Sequence, residues 1–112
     1  MLGLFKKKTS LLEEIVKDSG TSLAEGLLNV GLARGKLEAL GAGAIFSKTL
    51  IFCIKNNFMV DESIEAAAVE VSSHLNGRLG NGDLVYDATM YFCEYTNLNI
   101  LIADAIAADF KK

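Results

Sequence analysis

The chain has 112 residues, of which 51% are hydrophobic and 22% are charged. This length supports one hydrophobic core and is too short for two domains, and the composition is that of a globular protein. The formal net charge is −3, with eleven basic and fourteen acidic residues. Because three of the basic residues are Lys6–Lys8, the remainder of the chain is more acidic than the total suggests. An acidic body argues against nucleic-acid binding, which needs a basic stripe.

The N-terminal segment differs in character from the rest. Four apolar side chains within Met1–Phe5 are followed by Lys6–Lys8, which is the reverse of the order in a signal peptide. We therefore predict a flexible basic tail over residues 1–8 and a single helical domain over residues 9–112. The alternative is that residues 1–8 form a small foot on a membrane surface.

A capping box indicates where the first helix begins. Ser10 is followed three residues later by Glu13, so each side chain can satisfy the other's backbone N–H group. We expect this helix to run to about Asp18 and to end at Ser19–Gly20. A second helix is then predicted to begin at Thr21–Ser22, where Ser22 and Glu25 repeat the capping-box spacing.

Small residues recur at four-residue intervals further along the chain, at Gly31, Gly35, Ala39 and Gly43. On a helix they would form a ridge that lets another backbone approach closely. A glycine costs up to about 1 kcal/mol relative to alanine in a helix interior, so packing must compensate. We predict that these four positions are helix-packing residues. The alternative, which we favour, is a turn at Gly41–Gly43 between two helices, with Gly31 and Gly35 as a close-packing face in either case.

Residues 44–57 are strongly apolar and predict a core helix. The alternative for the eighteen residues Leu37–Ile54 is a membrane span. The core helix is favoured because the segment contains Glu38 and Lys48 and a span needs about twenty mostly apolar residues. Asp61 then opens an amphipathic helix. Its predicted buried stripe is Ile64, Ala67, Ala68, Val71 and Leu75.

Leu84–Phe110 is a long, very apolar segment. Its polar residues fall within a band of about 120° on a helix, which predicts that the other sides are buried. One helix of this length would extend about 40 Å, more than the width of about 35 Å expected for a compact domain. We therefore expect a break near Thr96–Asn99. The alternative is one straight helix whose overhang a partner covers.

The sequence contains residue types that can support catalysis or metal binding, but the partner residues that such a site requires are not apparent. Cys53 and Cys93 lie in apolar runs without an identifiable basic activator and are expected to be buried, reduced thiols. A single histidine, His74, provides no Cys/His metal set. Val30–Leu37 lacks one residue of the P-loop spacing and the Ser or Thr that binds magnesium. We predict no enzymatic activity, no cofactor and no metal.

The predicted fold is an all-α bundle of five to six helices with a buried, very apolar C-terminal helix. The predicted function is that of a small cytoplasmic protein-binding module, an adaptor, inhibitor or immunity-type regulator. Its acidic faces favour a basic protein partner, and its apolar surface favours self-association into a homo-oligomer. The candidate partner-binding residues are Arg78, Leu79, Asp83 and Asp87, at and just after a glycine-rich loop. The alternative is a peripheral membrane protein anchored through residues 1–8 and the apolar helices.

Overall fold

A computed structural model describes residues 10–75 and 84–110 of the chain. These residues form five α-helices, which confirms the predicted all-α bundle. The helices are α1 Leu11–Asn29, α2 Lys36–Lys55, α3 Val60–His74, α4 Leu84–Tyr95 and α5 Leu98–Phe110. Helices that follow each other along the chain pack together, and α5 returns to pack against α1.

The first helix begins as predicted but does not end at Ser19–Gly20. Both halves of the capping box form between Ser10 and Glu13. The helix then continues to Asn29, so the prediction of a second helix beginning at Thr21–Ser22 was wrong. The hydroxyl of Ser19 donates to the carbonyl oxygen of Ile15 at 2.9 Å. Because this polar group bonds back to its own helix, it does not stop the helix.

The chain leaves α1 through a left-handed glycine. Gly31 has φ +80°, its N–H donates to the carbonyl of Leu28, and the N–H of Leu32 donates to that of Leu27. This pair of bonds is the Schellman arrangement that ends helices. Gly31 and Gly35 therefore belong to the connection between α1 and α2, and nothing lies within 4 Å of a Cβ placed on either. Their prediction as helix-packing residues was wrong.

The predicted turn at Gly41–Gly43 was also wrong, because both residues lie inside α2. The two later members of the four-residue repeat, Ala39 and Gly43, are buried in this helix. In a sequence, a glycine that ends a helix cannot be distinguished from a glycine that allows close contact between two helices. The packing around Gly43 decides between them.

α1 and α2 cross most closely where Gly20 faces Gly43. A Cβ added to Gly20 would lie 2.6 Å from the carbonyl oxygen of Gly43, and one added to Gly43 would lie 3.2 Å from the Cβ of Ala24. A side chain at either glycine would therefore force the two helices apart. Beside this contact, the Ser47 hydroxyl donates to the carbonyl oxygen of Val16 at 3.1 Å.

The remaining helices partly match their predictions. In α3, the predicted buried stripe from Ile64 to Val71 is confirmed, and Leu75 is buried just beyond the helix. The predicted break in the C-terminal segment is also confirmed. It lies at Thr96 and Asn97, where the Thr96 hydroxyl donates to the carbonyl of Phe92 at 2.9 Å and Asn97 has φ +55°.

The prediction that the C-terminal helix is buried on nearly all sides was wrong. α5 buries Leu98, Ile102 and Ala105, whereas Ile100 and Leu101 are exposed. The break separates α4 from α5, and α5 then packs mainly on α1. A helix at the edge of a small bundle is covered on one side, whatever its composition.

All five helices contribute to one core. Phe46 and Leu50 of α2 are completely buried at its centre, with Leu23 and Leu27 of α1 beside them in the same cluster. Cys53 and Cys93 are both buried and unbonded, as predicted. By length and composition alone α2 could cross a bilayer, yet its inner side supplies this core.

The end of the bundle is closed by a contact between distant parts of the chain. The carboxylate of Asp109 in α5 accepts hydrogen bonds from the backbone N–H groups of Leu11 and Leu12, both at 3.1 Å. The Ser10 hydroxyl accepts from the N–H of Glu13 at 3.1 Å. Three N–H groups that the start of α1 would otherwise leave unpaired are thus satisfied, and the charge of Asp109 suits the positive end of the helix dipole.

We expect Asp109→Ala to lower the free energy of unfolding by about 1–2 kcal/mol, because two charge-assisted hydrogen bonds to α1 are lost. Asp104→Ala is the matched control, since Asp104 is exposed on the same helix. Urea unfolding followed by circular dichroism measures both. An equal effect of the two substitutions would show that Asp109 does not stabilise the bundle.

Candidate protein-binding surface

The structure describes one of the four residues predicted to bind a partner. Asp87 lies exposed in the first turn of α4. Arg78, Leu79 and Asp83 lie outside the described residues. The surface around Asp87 therefore decides what this end of α4 can bind.

Two exposed tyrosines form the most distinctive feature of α4. The rings of Tyr91 and Tyr95 are stacked, with centroids 6.1 Å apart and planes inclined by 23°. Their exposed fractions are 66% and 75%. Residues four apart on a helix are neighbours, so the helix itself holds the two rings together. The pair is a pre-assembled aromatic surface.

An apolar groove of about 210 Å³ lies between these tyrosines and α1. We call it the α1–α4 groove. Its lining residues are Leu23, Gly26, Leu27, Val30, Ala88, Tyr91, Phe92 and Tyr95. Leu23 and Leu27 are core residues, so the floor of the groove is fixed by the interior packing.

Gly26 keeps the groove open on the α1 side. Nothing lies within 4 Å of a Cβ built at this position. Val30, the residue that caps the C-terminus of α1, is 67% exposed at the groove. The groove thus has a rigid floor, an aromatic wall and room for a side chain from another molecule.

Carboxylates lie on the same side of α4 as the aromatic pair. At about 100° per residue, Asp87, Tyr91, Glu94 and Tyr95 fall within an arc of about 100°. All four are exposed. Glu94 also borders a second cavity, of about 350 Å³, whose edge carries Asp61 and Glu65 of α3. A basic group at the edge of the α1–α4 groove would therefore meet several negative charges.

Charge is distributed unevenly between the helices. α3, α4 and α5 together contain eight Asp and Glu residues and no Lys or Arg. The five Lys and Arg residues of the described ranges are all in α1, α2 or the connection between them: Lys17, Arg34, Lys36, Lys48 and Lys55. Within the described residues α3, α4 and α5 together are strongly negative, and their field favours a positively charged partner.

Tyr91 and Tyr95 were not among the residues predicted from sequence. Tyr91 lies outside the polar band of Leu84–Phe110, and the sequence predicts that the sides outside this band are buried. The signal that could have identified the pair is its spacing. Tyr91 follows Asp87 by four residues, so both belong to the exposed side of α4.

Two observations concern reactive chemistry: the state of the Cys93 thiol and the arrangement of potential metal ligands. Burial raises the pKa of the Cys93 thiol to about 12, so the thiol is protonated and a poor nucleophile at neutral pH. Among residues 10–75 and 84–110, no three His, Cys, Asp or Glu side chains are arranged to hold a metal ion.

Comparison with protein-family models, curated proteins and solved structures finds no match to this chain.

The shifted pKa of Cys93 predicts how stability depends on pH. Because the folded state holds this proton up to about pH 12 and the ordinary thiol pKa is 9.0, the unfolded chain loses it first as the pH rises. The stabilisation is therefore complete below pH 9 and declines between pH 9 and about 12. From pH 8 to pH 10, wild type should lose about 1 kcal/mol more unfolding free energy than Cys93→Ala. Urea unfolding at the two pH values measures this difference, and parallel declines would contradict it.

Proposed function

We propose that this protein is a small, non-catalytic protein-binding module, acting as an adaptor, inhibitor or immunity-type regulator. The partner is a basic protein that binds at the α1–α4 groove. The observation that carries this proposal is the stacked, exposed pair Tyr91 and Tyr95 beside an open apolar groove. Tyrosine is enriched among the residues that dominate the energy of protein interfaces.

The aromatic pair favours binding on energetic grounds. A tyrosine side chain buries roughly 150–250 Å² and has few rotatable bonds, so it gains much contact area at a small cost in conformational entropy. Tyr91 and Tyr95 already contact each other, which further limits the freedom that binding would remove. An apolar side chain of the partner inserted into the groove would complete the contact.

The acidic surroundings favour a partner with Lys or Arg next to that apolar side chain. Asp87 and Glu94 lie beside the tyrosines and can pair with such a residue. The eight carboxylates of α3, α4 and α5 would also accelerate association with a basic protein. The apolar contact would then determine the dissociation rate of the complex, and the charges would determine its association rate.

Self-association and a cytoplasmic location are further parts of the proposal. Large apolar side chains are exposed on every helix, and a second copy of the chain would cover some of them. The free thiols of Cys53 and Cys93 suit a reducing compartment. Light scattering over a concentration series reports the oligomeric state directly.

The test uses Gly26→Arg, which places a long side chain in the groove. Since a Cβ at this position meets nothing within 4 Å, the fold should be retained while the groove is filled. In affinity capture from extracts of the cells that naturally make this protein, we expect wild type to retain the partner and Gly26→Arg not to retain it. Titration calorimetry with that partner should then show at least about a hundredfold loss of affinity, as for a hot-spot residue. Tyr91→Ala should have an effect of similar direction, and Asp87→Lys should mainly slow association.

Ser73→Arg is the matched control, because it adds the same side chain at an exposed position of α3. Its partner affinity should equal that of wild type. If Gly26→Arg binds every captured protein as well as Ser73→Arg does, the α1–α4 groove is not the binding site. If the association rate constant of the partner is the same for Asp87→Lys as for wild type, the carboxylates do not accelerate association.

A further inference from the structure

The outward side of α2 is an apolar surface that none of the other described helices covers. Leu37, Leu40 and Phe52 are 86%, 54% and 64% exposed, and Ala44 between them is exposed as well. These residues extend over sixteen positions, or about 22 Å of helix. The opposite side of the same helix buries Phe46 and Leu50 completely. α2 is therefore held in the bundle with one long apolar side facing outward.

Lysines lie along this apolar side. Lys48 and Lys55 are exposed on α2, seven residues apart and therefore on one side of the helix. Lys17 of α1 and Lys48 together border two adjoining cavities between α1 and α2, of about 310 and 580 Å³. Lys55 also contacts Glu13 at 3.1 Å. The combination is an apolar stripe and groove whose edge carries three lysines and one glutamate, and is therefore positive in sum.

Among the acidic residues of α1, Glu13 borders the larger cavity and pairs with Lys55, and the others point away from α2. Gly20 marks the direction from α1 to α2. At about 100° per residue, Glu14 and Asp18 lie about 120° and 160° around α1 from Gly20, whereas Lys17 lies about 60° from it. The eight carboxylates of α3, α4 and α5 belong to other helices. The protein is thus polarised, with its lysines concentrated along the apolar side of α2.

We propose that the outward side of α2, with the α1–α2 groove, lies on the surface of an anionic lipid bilayer. Leu37, Leu40 and Phe52 would enter the boundary between headgroups and acyl chains. Lys17 and Lys48 would extend their aliphatic parts along this surface and place their ammonium groups at lipid phosphates. Because the inner side of α2 supplies the core, the helix lies along the bilayer and does not cross it.

This surface is separate from the α1–α4 groove. Gly26 lies about 120° around α1 from Gly20, so the groove opens on a different side of α1 from α2. A protein partner at the groove and a bilayer at α2 can therefore be bound at the same time. The inference stands on other residues than the proposed protein-binding function and is tested independently of it.

Vesicle flotation with the full-length chain tests the proposal. Vesicles of phosphatidylcholine with about one-third phosphatidylserine should bind the protein, and vesicles of phosphatidylcholine alone should bind it much less. Lys17→Gln with Lys48→Gln should weaken partitioning about thirtyfold, and Leu37→Gln with Leu40→Gln by at least about tenfold. Lys17→Arg with Lys48→Arg should retain binding, because it keeps both charges.

Val69→Gln is the control for the leucine substitutions, since Val69 is 50% exposed on α3, and it should float like wild type. Gly26→Arg should float as well, which separates this surface from the α1–α4 groove. Three results would overturn the proposal: no binding to the anionic vesicles, equal binding to both vesicle types, or binding that the leucine substitutions leave unchanged. The first of these would point to an acidic protein helix as the occupant of the α1–α2 groove.

Discussion

The bundle is organised by the close approach of α1 and α2 at Gly20 and Gly43. Each glycine lies where a Cβ would collide with the other helix. The absence of these side chains brings the two longest helices into direct backbone contact. This contact sets the distance at which Leu23 and Leu27 of α1 meet the core side chains of α2. Close packing at this contact offsets the free energy that each interior glycine costs its helix relative to alanine.

The same crossing places the two proposed surfaces. α1 contacts α2 through Gly20, and it contributes Gly26 and Val30 to the groove with α4 about a third of a turn away. The aromatic pair of α4 therefore faces one side of the bundle and the lysine-edged stripe of α2 another. The charges follow this division, because α3, α4 and α5 carry acids and no Lys or Arg. Geometry and electrostatics together make a protein with two distinct contact surfaces.

Much of the fold could be predicted because it depends on local chemistry. The capping box at Ser10, the buried stripe of α3 and the break at Thr96 all follow from hydrogen bonding and periodicity within a few residues. The continuity of α1 and α2 could not be predicted, since Gly20 and Gly43 resemble helix terminators unless the opposing helix is known. The candidate site was predicted only in part. Asp87 carries a charge that indicates exposure, whereas Tyr91 is exposed because the bundle leaves that side of α4 uncovered.

A double-mutant cycle at Gly20 and Gly43, measured by urea unfolding, tests whether these two glycines set the separation of α1 and α2. If the two glycines set the helix separation, Gly20→Ala and Gly43→Ala should each lower the free energy of unfolding by about 1–3 kcal/mol. The double variant should then cost at least about 1 kcal/mol less than the sum, because the first methyl group has already moved the helices apart. Two single variants that each raise the stability by up to about 1 kcal/mol, as for unconstrained helical glycines, and that combine additively would contradict the account.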